Sequence, residues 1–144
     1  SNFFSELALS AQITIEKQFK RYQHNNLELW QGDFFELKAS DIAPVDIIYD
    51  RAALIALPEE MQTRYVKHLL SFMQPNTRLF LVSLEFPEQE MSGPPFPIVA
   101  SKISSLFERF KVVEIANREL TDKRFAQRIF NVSFLIERLY SITK

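Results

Sequence analysis

Two rhythms of apolar residues alternate along this chain, and the changes from one to the other mark its elements. Leu27–Phe34 alternates apolar with polar and is rich in aromatics, which predicts a strand with Gly32-Asp33 as its turn. Val45–Tyr49 is a β-branched run that ends in Asp50-Arg51 and gives way to small, helix-prone residues. That pattern predicts a buried parallel strand, whose carboxyl end is where open α/β sheets place their ligands. Pro58-Glu59-Glu60 predicts a helix start, since proline there wastes no donor and acids favour the amino end. The helix should run to about Met73, with Met61, Tyr65, Leu69 and Phe72 on one face. Thr77–Phe86 reads as a second buried strand, and Pro87–Pro97 as a proline-rich loop around Gly93. Ile98–Phe110 suits an amphipathic helix with Ile103, Leu106, Phe107 and Phe110 inward, and Lys111–Ala116 a strand. Asn117–Gln127 is charged and reads as a loop or helical turn, and Ile129–Ile142 as a long final strand or hairpin arm. Ahead of all this, residues 1–9 read as a short helix and residues 10–26 as a connecting loop or frayed helix. Ala39–Pro44 is a connector.

The order predicts an α/β fold with a Rossmann-like, mostly parallel sheet, because a helix between consecutive buried strands makes right-handed crossovers. The last two strands have no long helix between them, which predicts an antiparallel hairpin at one edge. A length of 144 residues makes this one domain or a piece of one. Seventeen basic against 18 acidic residues leave no basic excess for nucleic acid or an anionic membrane. With no cysteine, disulfides and thiolate metal sites are excluded, which fits a cytoplasmic setting. No apolar run reaches the roughly 18 residues of a membrane-spanning helix.

Two glycines, Gly32 and Gly93, cannot make a glycine-rich cofactor turn. Asp33 and Phe34 follow a strand end and read, on their own, as a turn aspartate and a core phenylalanine. Arg51 follows the central strand and either pairs with an acid such as Asp50 or faces a ligand; Asp50 either orients it or faces solvent. Gly93-Pro94-Pro95-Phe96 is a rigid connector or the wall of a pocket. His24 and His68 lie far apart and have no serine or cysteine partner, so they make neither a metal site nor a catalytic pair and read as surface residues. Glu85 and Glu88 read as solvated acids near the ligand edge.

Four segments together resemble the thiopurine S-methyltransferase family, a branch of the class I S-adenosylmethionine-dependent methyltransferases. They are Leu29-Trp30-Gln31-Gly32-Asp33-Phe34-Phe35, Tyr49-Asp50-Arg51-Ala52-Ala53-Leu54-Ile55-Ala56-Leu57-Pro58, Gly93-Pro94-Pro95-Phe96 and Glu137-Arg138-Leu139-Tyr140. Their order and spacing fit from about residue 3 to the end. The resemblance implies a sheet order of 3-2-1-4-5-7-6 and makes residues 1–144 the carboxyl-terminal portion of a single methyltransferase domain. The first strands, the cofactor loop and the ribose-holding acid of the family have no counterpart here. A bare apolar edge at residues 45–49 would then be repaired by dimerisation, by swapping, or by bringing residues 27–34 alongside.

The resemblance also implies S-methyl transfer from S-adenosylmethionine to thiopurine-like aromatic thiols, or selenium or tellurium acceptors, in the intact parent, with this portion alone inactive. Asp33, Phe34 and Arg51 are the implied cofactor contacts, and Pro95 and Phe96 the implied substrate contacts. The implied partners are a small-molecule thiol acceptor and a second copy of the chain, with no metal. Arg124 and Arg128 match basic positions of the family, while Ile129-Phe130-Asn131 replaces its usual glycine segment. Two other readings fit the same residues: a class I methyltransferase with another acceptor, and a non-catalytic α/β binding or oligomerisation module.

Overall fold

The computed structural model of the chain describes residues 12–16 and 18–144. The chain divides into two compact units, residues 1–41 and 42–144. In the first, β1 (Gln12–Glu16), β2 (Phe19–His24) and β3 (Leu27–Gln31) form an antiparallel sheet in the order β1-β2-β3. The expected loop or frayed helix over residues 10–26 is therefore corrected to a pair of strands. The signal lay in Asn25-Asn26, a two-residue hairpin loop between the paired His24 and Leu27. Asn25 takes φ 51°, a left-handed conformation that asparagine tolerates. Phe19 and Tyr22 are the buried residues of this sheet, and the Phe19 ring meets Trp30 edge-on at 5.8 Å. Strand β3 stops before Gly32, against which the Phe19 ring lies so closely that a Cβ would collide with it. The predicted helix over residues 1–9 lies outside the described residues.

In the second unit β4 (Ile47–Asp50), β5 (Arg78–Glu85), β6 (Lys111–Glu119) and β9 (Ile136–Thr143) form one sheet in the order β4-β5-β9-β6. β4 runs parallel to β5, and β9 is antiparallel to both β5 and β6. The unit is mixed α/β, but among the described strands parallel pairing is confined to β4 and β5. The terminal antiparallel pair is present, with β9 slotted inside and β6 on the edge. Strand β6 absorbs one extra residue, Ile115, between Glu114 opposite Tyr140 and Ala116 opposite Leu139. The implied order 4-5-7-6 is the observed order of these four strands.

β5 carries the core. Leu79, Leu81 and Ser83 on one face, and Val82 and Leu84 on the other, are all buried. β4 is parallel as predicted but not buried: Ile47 is 64% and Tyr49 63% exposed. Its one hydrogen-bonded neighbour among the described strands is β5, which makes it an edge. Helix α1 (Glu59–Leu70) begins at Pro58 and buries Tyr65, Val66 and Leu69. Helix α2 (Ala100–Leu106) is shorter than its pattern suggested, and Ile103 and Phe107 anchor it. No helix among the described residues is long and apolar enough to cross a membrane.

The segment expected as a charged loop folds into a small hairpin, β7 (Arg124–Phe125) and β8 (Arg128–Ile129). Its turn residues Ala126 and Gln127 take φ 51° and 64°. Tight hairpins need these angles and normally fill them with Asn-Gly or Gly-Gly, so two side-chain-bearing residues leave strain here. Gln127→Gly should raise stability by about 0.5–1 kcal/mol by relieving it. A thermal unfolding midpoint a few degrees higher would show this; an unchanged or lower one would show that the turn is unstrained.

Candidate functional site

The carboxyl end of β4 organises this region. Asp50 is only 4% exposed, and its Oδ1 accepts hydrogen bonds from the backbone N–H of Ala53 at 3.1 Å and Leu54 at 3.3 Å. The Tyr65 hydroxyl donates to the other oxygen at 2.6 Å. A buried carboxylate needs such donors to offset lost hydration. The two readings left open for Asp50 are thus both replaced: it neither faces solvent nor orients Arg51, but caps the turn that follows the strand. The buried residues Leu54 and Ile55 of the 3₁₀ turn Leu54–Ala56 lock that turn into the core.

Arg51 is consequently turned outward. Its guanidinium lies 4.4 Å from the ring centroid of Phe125 on β7, a cation–π contact. It also lines a cavity of about 320 Å³ on the sheet, together with Tyr49, Val82, Asn117, Arg118 and Glu137. Arg118 is paired with Glu137 at 2.9 Å, and among the described residues no ion pair joins Arg51 to a carboxylate.

Phe125 also lines an apolar cavity of about 230 Å³, together with Ala52, Ile55, Pro94, Pro95, Arg128 and Phe130. The Phe130 ring meets Phe125 at 6.5 Å and Phe86 at 5.9 Å, both edge-on. Arg128 lies 5.3 Å from the Phe130 ring centroid and donates to the Pro94 carbonyl at 3.0 Å. Within Ile129-Phe130-Asn131, Phe130 supplies an aromatic wall of this cavity.

Arg51 and Pro95 are brought to this one region, joined through Phe125. Phe96 is not. Its N–H donates to the Ile55 carbonyl at 2.6 Å and its ring packs on Gly93, where a Cβ would collide with it. The ring faces a separate cavity with Glu59, Gln62, Phe86 and Lys102. Asp33 and Phe34 belong to the first unit. There Asp33 accepts the Phe35 N–H at 2.9 Å and caps the 3₁₀ turn Phe34–Glu36, and the Phe34 ring tilts against Phe35 at 6.4 Å.

Phe125 and Phe130 were missed from the sequence; their signal was a pair of aromatics inside an otherwise charged stretch. Glu85 is not a solvated loop acid either, because Arg138 donates to it at 2.9 Å while also pairing with Glu114. His68 is half-buried with its ring edge-on to Phe72 at 5.4 Å, and His24 lies beside Asn25. No group of three or more metal-binding side chains occurs among the described residues.

Burial first, then the facing Asp50 carboxylate, raises the Tyr65 pKa well above its ordinary value. The tyrosine stays protonated in the fold where the unfolded chain would release its proton. Its contribution is full below the ordinary pKa of about 10 and falls as pH rises past that. Tyr65→Phe leaves an oxygen of Asp50 unsatisfied and should cost about 1.5–3 kcal/mol in urea unfolding at pH 7, with a smaller difference from the parent chain above pH 10. A loss that is the same at pH 7 and pH 11 would mean that Tyr65 does not support Asp50 in this way.

The family model described as "Thiopurine S-methyltransferase (TPMT)" matches residues 1–144. Curated relatives that carry the name thiopurine S-methyltransferase include one from Marinobacter nauticus, 36% identical over 129 residues, covering 88% of this chain and 59% of the relative. One from Vibrio vulnificus is 42% identical over 115 residues, covering 79% of this chain and 52% of the relative. One from Pseudomonas fluorescens is 37% identical over 141 residues, covering 97% of this chain and 65% of the relative. The chain thus spans between about half and two thirds of the length of these relatives.

Proposed function

We propose, from the premise that the chain belongs to the thiopurine S-methyltransferase family, that its longer parent transfers a methyl group to the sulfur of a flat aromatic thiol. The observation that carries this reading is the apolar cavity lined by Phe125 and Arg128, with the Arg51 guanidinium stacked on the same Phe125 ring. At about 230 Å³ it falls below the roughly 300–1,000 Å³ of drug-sized pockets, and so suits a single small ring system. Its aromatic and proline walls offer flat contact, and its cationic rim favours an acceptor that reacts as an anion.

S-adenosylmethionine, when bound, supplies a methyl group already activated by the sulfonium charge. Arg51 fits that group from this side, because its outward-facing guanidinium borders a cavity with polar partners and suits a carboxylate or thiolate by bidentate donation. Phe125 holds the guanidinium plane in place. Pro95, Phe125 and Phe130 seat the acceptor ring and exclude water, so orientation carries much of the acceleration. The chemistry the cofactor would supply is methyl transfer to the acceptor sulfur with departure of a neutral thioether, and these walls would orient that sulfur for it. An aromatic thiol is acidic enough to react as its anion, with its proton released to solvent, so no strong protein base is required. The residues lining the apolar cavity include no carboxylate or histidine, in keeping with this chemistry.

In the same reading Asp33 and Phe34 contact the cofactor's adenosine portion, and Phe96 acts only indirectly, by fixing Pro95. The rest of the cofactor site belongs to the parent's remaining length, so this chain alone is inactive. Calorimetric titration of S-adenosylhomocysteine should show binding by the full-length parent and little or none by the 144-residue chain. Failure of the parent to bind would favour a non-catalytic module.

In the parent, Arg51→Lys should lower kcat/KM about tenfold, because one ammonium cannot reproduce the guanidinium fork or its stacking on Phe125. Unchanged kinetics with an aromatic thiol would remove Arg51 from the site. A panel of aromatic oxygen and nitrogen acceptors distinguishes a methyltransferase of another specificity, which would prefer one of them to the thiol.

A further inference from the structure

Two segments that are distant in sequence form the jaws of the apolar cavity. One is the proline loop, which supplies Pro94 and Pro95; the other is the β7–β8 hairpin with the residues after it, which supplies Phe125, Arg128 and Phe130. Neither jaw is held by a long ladder, since β7 and β8 share only the pairs Arg124–Ile129 and Phe125–Arg128. Side chains link the jaws. Arg128 donates to the Pro94 carbonyl at 3.0 Å at the rim. Outside the cavity lining, at exposed positions, Oε1 of Glu90 accepts two hydrogen bonds from Ser133, from its N–H at 2.9 Å and its hydroxyl at 2.8 Å.

Glu90 closes the 3₁₀ turn Glu88–Glu90 just before the proline loop, and Ser133 lies three residues beyond the wall residue Phe130. Two convergent donors on one carboxylate oxygen fix both the separation and the relative rotation of the segments that carry them. A single long ion pair would leave more freedom, because it constrains one distance only.

We propose that Glu90 and Ser133 form a clasp that sets the width of the acceptor cavity, with Glu90 as a positioning residue for the thiol and not a group that touches it. This rests on the reading of the apolar cavity as an acceptor site. The clasp holds the proline jaw against the aromatic jaw at the spacing of a flat ring. Both hydrogen bonds use the same acceptor atom, so an amide can replace the carboxylate while an alanine cannot.

The test measures binding of 6-mercaptopurine by calorimetry to the full-length parent and to variants at these two positions. Glu90→Ala should weaken binding about fivefold or more, and in turnover should raise KM for the thiol while leaving KM for S-adenosylmethionine unchanged. Glu90→Gln should stay within about twofold of the unsubstituted protein. Ser133→Ala, which keeps the backbone donor, should fall between them. The double variant Glu90→Ala/Ser133→Ala should be no worse than Glu90→Ala alone, because the two changes break one interaction. Unchanged thiol affinity in Glu90→Ala, or losses that simply add in the double variant, would overturn the clasp.

Amide hydrogen exchange separates this outcome from failure of the functional reading. Glu90→Ala should speed exchange across residues 124–133, and Glu90→Gln should not, whether or not a thiol binds. If the unsubstituted parent fails to bind 6-mercaptopurine, the acceptor reading falls, and the exchange rates still decide whether the clasp exists. Equal exchange in both variants would reject it outright.

Discussion

The buried carboxylate of Asp50 is the constraint on which the second unit turns. A strand that ends at a sheet edge must redirect its backbone without leaving donors unsatisfied, and here one side chain receives the first two free N–H groups of the turn. The same carboxylate receives the Tyr65 hydroxyl, which ties α1 to the end of β4. That fastening determines where Arg51 points. The strand ends with Asp50 directed into the core, and Arg51, the first residue of the bend that follows, is exposed with its guanidinium against Phe125. The position of Arg51 is therefore linked to a buried structural acid.

Phe125 converts this direction into a site. Its ring is buried on a hairpin of two residues per strand, and it both receives a guanidinium and lines an apolar cavity. Such a short hairpin has little intrinsic stability. It also carries two positive-φ residues that are not glycine. What holds it is the packing of Phe125 and Phe130 on each other and of Phe130 on Phe86, the residue just after β5. Backbone strain and aromatic burial are thus coupled at the same six residues, 125 to 130. Functional sites commonly keep strain of this kind where the surrounding packing over-determines the geometry.

The elements read most readily from the sequence were those whose pattern and burial agree. Residues 77–86 form a run with no alternation, and β5 is buried on both faces. Tyr65 and Leu69 fall one helical turn apart and both face the core. The failures have separate physical causes. Over residues 10–26 the alternation is masked by long polar side chains, and only Asn25-Asn26 marked the hairpin. In β4 the β-branched run gave the correct pairing but the wrong burial, because composition reports what a strand can pack against and not how many neighbours it has. The hairpin at 124–129 carried no turn glycine, so its chemistry gave no warning of a turn. Of the candidate site, Arg51 and Pro95 were legible from motifs. The aromatic pair between them was not, because contact across more than 70 residues leaves no local periodicity.

The loop Gly93-Pro94-Pro95-Phe96 shows how adjacent residues of one motif come to do different work. Gly93 leaves room for the Phe96 ring, and the Phe96 N–H is fixed to the Ile55 carbonyl. Ile55 is itself held in the turn that Asp50 caps. The ring of Phe96 thus faces away from the cavity and serves as a rivet, while Pro95 presents the working surface. The chain of causes runs from Asp50 through Ile55 to Phe96 and then to Pro95, and from Asp50 through Arg51 to Phe125. Both walls of the apolar cavity are referred to the same buried carboxylate, so a disturbance at Asp50 reaches them together, whereas one at Phe96 reaches only the proline wall.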